Sequence, residues 1–421
     1  MLHRIPVEQS GVRGKLMADA VQTCVHCGFC LPTCPTYQVL GEEADSPRGR
    51  IVLMKQVLEG DLAPEEAAPH LDRCLGCLAC ETYCPSGVPY SQLLSPYRDL
   101  QREKSKQRPS LARWMALQTL PFPWRFRWAL RLGKIAKKWN LWTPAALQPM
   151  LQMIPDQLPK ALQKRQTIYR PRTTARFRVA LLEGCAQRVL APEIHQAAID
   201  VLVRNGVEVH VPAEQGCCGA LAWHIGDGKT AQQQAAKNLK AFEGKFDAIV
   251  STAAGCGSAM HEYPVLFEGS ATQNHAVDFA SNTCDILTFL DRIGIEPPPA
   301  LARTIRVGYH DACHLAHAQR ETAAPRRLLQ SIENLELVPI PDSDLCCGSA
   351  GIYNIEQPKI ADSLGRSKAA AIQQSRCEMV ALANIGCQMQ IARHLQQESN
   401  VLPVLHVVQI LAAAYEGRPL L

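Results

Sequence analysis

The sequence predicts a multidomain protein in which a mainly α-helical domain is followed by two duplicated α/β units. Three observations lead to this prediction: two copies of one cysteine run near the N-terminus, a helix-forming segment between them, and a second half that repeats itself. A chain of 421 residues is long enough to form several hydrophobic cores. The predicted divisions are a helical domain (1–100), a basic segment and linker (101–176), unit 1 (177–295) and unit 2 (304–417).

Composition limits the class of protein. Hydrophobic residues make up 47% of the sequence, as in ordinary globular proteins, and there are 18 cysteines. The first residues lack the apolar core of a signal peptide, and no run approaches the roughly 18 apolar residues that span a bilayer. We therefore expect a protein of a reducing compartment, the cytoplasm, whose cysteines are not in disulfides and whose membrane contact, if any, is peripheral.

Both cysteine runs read C-x2-C-x2-C-x3-C-P, the spacing that holds iron–sulfur clusters in bacterial two-cluster ferredoxins. The first run is Cys24–Pro35 and the second run is Cys74–Pro85. Three thiolates at this spacing wrap one face of a cubane, and the proline turns the fourth thiolate toward the other cluster. The runs therefore predict two [4Fe–4S] clusters, one held by Cys24, Cys27, Cys30 and Cys84, the other by Cys34, Cys74, Cys77 and Cys80.

Two structural zinc sites are the alternative, because C-x2-C pairs are common zinc ligands and eight cysteines would fill two tetrahedral sites. Zinc explains neither the third cysteine at the same two-residue step nor the proline after each fourth cysteine. The clusters are therefore the favoured interpretation, and analysis of iron and acid-labile sulfide would distinguish the two.

Helices are predicted on both sides of the first run. Apolar residues recur at helical spacing within residues 1–23. Between the runs, Ser46 is placed to cap a helix that has Pro47 in its first turn. This insert is too long and too helical for a compact β-rich ferredoxin, so it indicates a mainly α-helical ferredoxin-type domain. Arg48 and Arg50 would offset the charge of a cluster or form an ordinary solvated pair.

Residues 101–142 contain eleven lysines and arginines against one acidic residue, and five of the six tryptophans. Prolines divide this segment into two helices, and the second has an apolar face beside a basic one. Such a helix is typical of one lying on an anionic membrane surface, and packing against a partner subunit is the equal alternative. Nucleic acid is not an expected partner, because no recognition motif accompanies the charge. The apolar face, here the tryptophan stripe, comprises Trp124, Trp128, Leu132, Ile135 and Trp139; Trp114 precedes it and Trp142 follows it.

Residues 143–176 are rich in proline and are predicted to be a surface linker. The second half then repeats itself at offsets of 128 to 131 residues, which indicates duplication. Segment 178–185 matches 306–313, and the Cys-Cys-Gly sequence at 217–219 matches 346–348.

Strands alternate with helices in both units, which predicts an α/β fold with a mainly parallel sheet. Apolar runs of the buried-strand type occur at 179–182, 248–251 and 379–382. The predicted helices are Pro192–Arg204, Thr230–Phe242, Ala323–Ser331 and Lys359–Gln373.

Four cysteines recur at matching positions in the two units. Because ligands in open α/β sheets gather beyond the carboxyl ends of the strands, we expect these cysteines to converge there. Buried, inert cysteines are the alternative, but repetition at matched positions favours a metal or redox role. Cys284 and Cys377 have no counterparts and are predicted to be structural. The candidate metal ligands are Cys185, Cys217, Cys218 and Cys256 in unit 1, and Cys313, Cys346, Cys347 and Cys387 in unit 2.

Two histidines distinguish unit 2 from unit 1. His310 and His314 flank Cys313, whereas unit 1 has Leu182 and Ala186 at the matching positions. Imidazoles beside a metal or thiol site would tune the site or relay protons.

Together these features resemble the iron–sulfur subunits of bacterial glycolate oxidase (glycolate dehydrogenase) over nearly the full length of the chain. The resemblance implies a partner subunit carrying FAD, a second flavin-type subunit, and a peripheral position on the cytoplasmic face of the cell inner membrane. It is carried by the two runs and by the segments Ser46–Arg50, Leu182–Gln187, Gly216–Gly219 and Leu345–Gly351.

Units 1 and 2 also resemble the cysteine-rich CCG domains of heterodisulfide reductase, lactate-utilisation and anaerobic glycerol-3-phosphate dehydrogenase subunits. CCG domains that bind non-cubane clusters end in C-x2-C, but no second cysteine follows Cys256 or Cys387 at that spacing. Each unit is therefore one thiol short, and a cubane, another metal or an empty thiol site remain alternatives.

The expected function is electron transfer, with no catalytic residue in this chain. FAD in the partner would oxidise glycolate to glyoxylate, and electrons would pass through the clusters to the quinone pool of the respiratory chain. The alternatives are the equivalent subunit of a D-lactate or anaerobic glycerol-3-phosphate dehydrogenase, or a heterodisulfide-reductase-like subunit. A non-enzymatic iron–sulfur regulator or scaffold is the alternative from a different class.

Overall fold

The computed structural model of the protein describes residues 3–105, 109–139, 144, 147–155, 158–159, 166–397 and 401–421. It has a helical N-terminal region followed by two parallel sheets covered by helices, and this confirms the predicted fold class. Among these residues, no helix is both long enough and apolar enough to cross a bilayer.

The N-terminal region is built from six α-helices that surround one core. Met17 and Val21 of the first helix pack with Met54 of the third and with Leu93 and Tyr97 of the sixth. The helices are α1 (Gly14–Thr23), α2 (Pro35–Leu40), α3 (Pro47–Glu59), α4 (Pro64–Asp72), α5 (Ala79–Thr82) and α6 (Ser91–Lys104), with short 3₁₀ helices at Val7–Ser10 and Glu43–Asp45.

The predicted cap of α3 is confirmed, because the Ser46 side chain accepts a hydrogen bond from the Gly49 backbone N–H. The prediction of one helix over residues 1–23 is wrong in its extent. Gly11 adopts a φ of +74°, which ends the 3₁₀ turn, and the α-helix begins only at Gly14. Val12 is consequently exposed and contributes nothing to the core.

The basic segment forms α7 (Leu111–Thr119) and α8 (Pro123–Lys138), and the linker forms α9 (Gln148–Gln152). Phe126 and Leu130 of α8 are buried against Ile154 and Val189, so one face of α8 packs onto the protein. The tryptophan stripe lies on the exposed side, where each of its five side chains is at least half exposed. Trp142 lies outside the described residues.

The linker differs from the prediction at its end, because Ile168–Tyr169 forms a strand, β1, that joins the first sheet. The first sheet has the order β1-β3-β2-β4-β5, with β1 antiparallel and the remaining pairs parallel. The second has the order β7-β6-β8-β9, all parallel. The strands are β2 (Phe177–Leu182), β3 (Val207–His210), β4 (Ala248–Ser251), β5 (Thr283–Asp285), β6 (Ile305–Tyr309), β7 (Leu335–Val338), β8 (Met379–Leu382) and β9 (Val404–His406).

The sheets therefore repeat one topology, since β3-β2-β4-β5 corresponds to β7-β6-β8-β9. Unit 1 contains α10 (Gln187–Leu190), α11 (Pro192–Arg204), α12 (Ala220–His224), α13 (Gly228–Ala241), α14 (Ala254–His261), α15 (Tyr263–Leu266), α16 (Gln273–Ser281) and α17 (Ile286–Ile293). Unit 2 contains a π-helical turn (His314–Ala318), α18 (Ala323–Gln330), α19 (Tyr353–Glu356), α20 (Pro358–Gln374), α21 (Ile385–Leu395) and α22 (Val407–Tyr415).

The two units pack against each other with approximate two-fold symmetry. Helix α11 of unit 1 packs on α22 of unit 2, and α17 packs reciprocally on α18. A hydrophobic core extends across this interface. The Ala254 N–H donates to the Ala383 carbonyl, 3.2 Å away, so the ends of β4 and β8 lie side by side.

The helical region is fixed to unit 1 by bonds from both members of an ion pair that lies within the helical region. The Arg13 guanidinium lies 2.7 Å from Asp99, donates to the Leu266 carbonyl, and lies over the Trp223 ring. Asp99 also accepts from the Gly228 backbone N–H at 2.7 Å. These contacts hold the cysteine runs at a defined place on the α/β units.

Candidate metal centres

The first cavity, about 400 Å³ with its open mouth, lies between the two cysteine runs. Its loop is curled by Gly28, which has a φ of +88° and on which a Cβ would meet the Arg48 guanidinium at 2.7 Å. Cys27 at its rim is exposed, and burial raises the pKa of the Cys30 thiol to about 11. The cysteines that line it are Cys24, Cys27, Cys30 and Cys84, the first predicted set, together with Cys80.

The second cavity, about 320 Å³ with its mouth, is lined by the other predicted set: Cys34, Cys74, Cys77 and Cys80. Cys34 reaches it because it stands immediately before α2, which begins at Pro35. Each cavity thus gathers cysteines from both runs, with Cys80 on the wall between them. Four thiols around one cavity are the donor set of a [4Fe–4S] cluster, so the residues of both cavities fit such a group.

Positive charge is concentrated at the second cavity. Arg50 is buried, and its Nη1 lies 3.8 Å from the Cys34 sulfur. Burial acts to raise the pKa of Cys74, but the charges of Arg50 and Arg98 outweigh it, so the pKa is lowered. Arg48, by contrast, lies at the first cavity and pairs with Glu43 at the surface. Arg50 is therefore placed to offset the charge of a cluster in the second cavity, while Arg48 pairs with Glu43 and donates to the His26 carbonyl of the first run.

The second cavity faces unit 2. The His314 Nε2 atom lies 3.2 Å from the Gly76 carbonyl oxygen, within the second run. The Tyr353 hydroxyl donates to the Arg73 carbonyl at 2.8 Å. Leu75 is buried in one cluster of side chains with Cys346, against which Cys77 and Cys313 pack. The ferredoxin-type thiols and the unit 2 thiols are therefore neighbours.

The four candidate cysteines of unit 1 form one connected group. The Cys185 and Cys217 sulfurs are 3.4 Å apart, and Cys218 interacts with both Cys217 and Cys256. They follow β2, β3 and β4, so they lie beyond the carboxyl ends of the strands as expected. The hydrogen bond that Cys185 donates to Cys217, together with burial, raises the pKa of Cys185 far above its usual range.

The candidates of unit 2 form an equivalent group. Cys346 interacts with Cys313 and Cys347, and Cys347 interacts with Cys387. The Asn384 amide donates to the Cys387 sulfur at 3.5 Å.

The glycine of each Cys-Cys-Gly sequence permits a close approach of backbone. Gly219 and Gly348 have φ values of +87° and +86°. A Cβ on Gly348 would lie 2.8 Å from the Ala361 carbonyl oxygen of α20, and one on Gly219 would lie 3.2 Å from the Ala231 oxygen of α13. Any larger residue would push these helices away from the thiols.

Family models match both parts of the chain. The model described as a 4Fe-4S dicluster domain matches residues 20–88. The model described as a cysteine-rich domain, CCG, matches twice, at 179–261 and 307–392. The family models therefore support iron–sulfur binding by the N-terminal region and the duplication of the CCG domain.

A relative from Escherichia coli (strain K12), the glycolate oxidase iron–sulfur subunit, is 37% identical over 412 residues, which cover 95% of this chain and 96% of the relative. The chain belongs to this family. A probable glycolate oxidase iron–sulfur subunit from Bacillus subtilis (strain 168) is 34% identical over 428 residues, 96% of either chain. The lactate utilization protein A of Oceanobacillus iheyensis is 28% identical over 57% of this chain and 99% of its own.

A crystal structure of a hypothetical protein from Helicobacter pylori resembles this glycolate oxidase iron–sulfur family member with a TM-score of 0.51. The alignment covers 97% of this chain and 73% of the other, at 10% sequence identity. This likeness concerns the fold alone.

The sequence marked His310 as an imidazole near the thiols, but two features of the sites were not predicted: the thiols that His310 faces and the position of Lys368. The His310 side chain lies against Cys347 and Cys387, and burial lowers its pKa to about 3, so the ring is neutral. Lys368 is buried, interacts electrostatically with Cys347 and Cys346, and donates to the backbone carbonyls of Asp342 and Ser343. The difference between His310 and Leu182 in the two repeats was the available signal for the first feature; nothing in the sequence marked Lys368.

Proposed function

We propose that the chain is the electron-transfer subunit of a membrane-associated glycolate dehydrogenase. A partner subunit would oxidise glycolate to glyoxylate on FAD, a second flavin-type subunit would complete the complex, and electrons would pass to the quinone pool. The observation that carries the proposal is the series of thiol sites: an open first cavity, an adjoining second cavity, and the unit 2 thiols against it.

Two [4Fe–4S] clusters are the proposed cofactors, held by the four predicted cysteines of each cavity. When bound, such clusters supply one-electron carriers whose potentials depend on hydrogen bonds, charge and solvent exposure. Residues of this chain make the surroundings of the two clusters different, in solvent exposure and in charge. The first cavity has an exposed thiol at its rim, whereas the second has the buried guanidinium of Arg50 beside Cys34.

The donor is proposed to dock at the first cavity. Val25 and Phe29, in the loop that carries Cys27, are 65% and 68% exposed. Apolar side chains presented around an open redox site favour a protein partner, because their burial stabilises the complex while bringing the two sites together.

The acceptor side is proposed to be unit 2 or the membrane. Cys313, Cys346, Cys347 and Cys387 lie next to the second cavity and are candidates for a further metal centre, as are Cys185, Cys217, Cys218 and Cys256 of unit 1. The exposed tryptophan stripe, flanked by basic residues of α8, supports peripheral contact with the anionic face of the inner membrane.

The test is to co-express the chain with its flavoprotein partners and to follow the clusters by electron paramagnetic resonance during anaerobic addition of glycolate. We expect glycolate to reduce both clusters in the complex. The chain purified alone should neither bind FAD nor oxidise glycolate. Oxidation of glycolate by the isolated chain would overturn the proposal.

A D-lactate-oxidising complex is the second candidate, supported by the similarity to lactate utilization protein A. Because the substrate would be selected by the flavin subunit, the same complex distinguishes the two. Reduction of the clusters by D-lactate and not by glycolate would favour this alternative.

A further inference from the structure

His310 stands immediately after β6, at the carboxyl edge of the second sheet. Its backbone N–H is bonded to the Ala381 carbonyl at 2.9 Å, which fixes the residue in place. The side chain is fully buried, and among the described residues neither ring nitrogen has a hydrogen-bond partner of normal geometry. Leaving a buried polar group unsatisfied destabilises the folded state, so the imidazole needs an explanation other than packing.

Unit 1 shows that packing does not require a histidine. Leu182 occupies the matching position at the carboxyl end of β2 and is equally buried. A leucine thus fills this place without the cost of unsatisfied nitrogens. The imidazole of unit 2 is therefore an addition to the common fold.

The ring lies among thiols. A ring nitrogen of His310 and the sulfurs of Cys347 and Cys387 all lie within 4.8 Å of one another, and all three residues are buried. Cys346, whose thiol interacts with Cys347, lies outside this group and would have to move closer to act as a fourth ligand. Tetrahedral coordination with metal–ligand bonds of about 2.0–2.3 Å separates the ligands by roughly 3.3–3.8 Å, so small side-chain movements would complete the site.

We propose that His310, Cys347 and Cys387 bind a single borderline-soft divalent cation, zinc or ferrous iron, in unit 2. The inference rests on the proposed metal-binding role of the unit 2 thiols. It adds that the His310 imidazole takes the place of the second cysteine of a C-x2-C pair, which is absent after Cys387. Imidazole and thiolate are the ligands that these two cations share.

The surroundings fit such a site. The Ser343 backbone carbonyl lies near the ring, and a metal-bound histidine commonly donates its other N–H to a carbonyl of this kind. The Asn384 amide donates to the Cys387 sulfur, and the buried Lys368 balances the negative charge that thiolates bring. Unit 1 has no histidine at the equivalent place, so the proposal applies to unit 2 alone.

The test compares the full-length chain with its His310→Leu variant, which installs the residue of unit 1. Both proteins are purified anaerobically with their ferredoxin-type clusters assembled, analysed for zinc and iron, and titrated with Co²⁺ as a probe. We expect the wild type to bind one more equivalent of Co²⁺ than the variant, with thiolate-to-cobalt absorption bands, or to bind it at least tenfold more tightly. X-ray absorption at the zinc or iron edge should find one imidazole per metal at this site and identify the natural ion.

His394→Leu is the matched control, because His394 is buried in unit 2 on α21, two turns beyond Cys387. It should retain the extra equivalent. His310→Cys should restore binding with an all-sulfur spectrum, which separates loss of a ligand from loss of folding. Equal Co²⁺ binding by wild type and His310→Leu, or absence of imidazole from the metal's coordination sphere, would overturn the inference. Reduction of the clusters by glycolate in the complex tests the proposed function separately, since the ferredoxin-type ligands are unchanged in these variants.

Discussion

The Nη2 atom of Arg50 lies 3.2 Å from Oδ1 of Asp45, and both side chains are almost completely shielded from solvent. The other end of the same guanidinium approaches the Cys34 sulfur, while Arg73 also donates to Asp45 at 2.9 Å. The buried carboxylate thus holds a positive charge against a thiol of the second cavity. Breaking such a pair leaves an uncompensated charge in the interior, which is far more costly than losing a surface pair.

Replacement of Arg50 by Met is expected to lower the free energy of unfolding by about 3 kcal/mol, because Asp45 would keep only the partly exposed side chains of Arg73 and His70 as partners. Iron and sulfide bound at the second cavity should fall as well. Thermal unfolding and cluster analysis measure the two effects. The matched control is Arg48→Met, which breaks a solvent-accessible pair with Glu43 and one hydrogen bond to the His26 carbonyl and should cost only about 1 kcal/mol. Equal losses in the two variants would contradict the role given to burial.

Cys34 and Cys84 line the cavity opposite to that of their own run, and this predicts crossed effects of substitution. Cys34→Ser should alter the paramagnetic signal and potential of the cluster at the second cavity. Cys84→Ser should alter those of the cluster at the first. Signals that changed in the same cluster for both variants would show that the ligand sets are not exchanged between runs.

Asp285 gives a pH dependence of stability. Its side chain accepts from the Leu287 N–H at 2.9 Å at the start of α17, and burial raises its pKa to about 7. Between pH 4 and pH 7 the folded protein therefore keeps a proton that the unfolded chain releases, so this contribution to stability is full at low pH and is lost as the pH rises through about 7. Asn caps helices as well as Asp but does not titrate.

Between pH 5 and pH 8 the wild type should lose about 2–4 kcal/mol of unfolding free energy through Asp285. The Asp285→Asn variant should not show this loss, so its stability relative to the wild type should be higher at pH 8 than at pH 5 by the same amount. Melting temperatures at both values provide the measurement. Asp291→Asn is the control, because its partner Arg327 lowers the pKa of Asp291 and its titration ends below pH 5. A pH profile of Asp285→Asn parallel to that of the wild type would refute the prediction.

The tryptophan stripe can be tested with vesicles. Trp124 and Trp128 expose large apolar surfaces, so replacing both by Ala should reduce flotation with vesicles containing phosphatidylglycerol by on the order of tenfold. Val277→Ala, an exposed apolar residue on α16, serves as the control and should have no effect. If the wild-type chain did not bind these vesicles, the stripe would instead be assigned to a partner subunit.

Local patterns predicted much of this protein correctly. Helix α11 matches its predicted bounds, Pro192–Arg204, and β4 and β8 coincide with the apolar runs at 248–251 and 379–382. These predictions succeeded because caps, prolines and buried apolar runs act on neighbouring residues. The predicted helix over residues 1–23 failed because Gly11, with its positive φ, interrupts the helical backbone. The predicted linker failed at its end because residues 168–169 pair with the distant strand β3 to form β1.

The sequence by itself determined the two cysteine runs, the duplication, and the family, because spacing and repetition are properties of the linear chain. Only the tertiary structure decided which sites are neighbours. The second cavity lies against unit 2 through Gly76 and His314, residues 238 positions apart. It also decided that Arg50 is buried while Arg48 is not, and that His310 faces two thiols. Burial and proximity of this kind arise from packing between distant segments, and no local pattern records them.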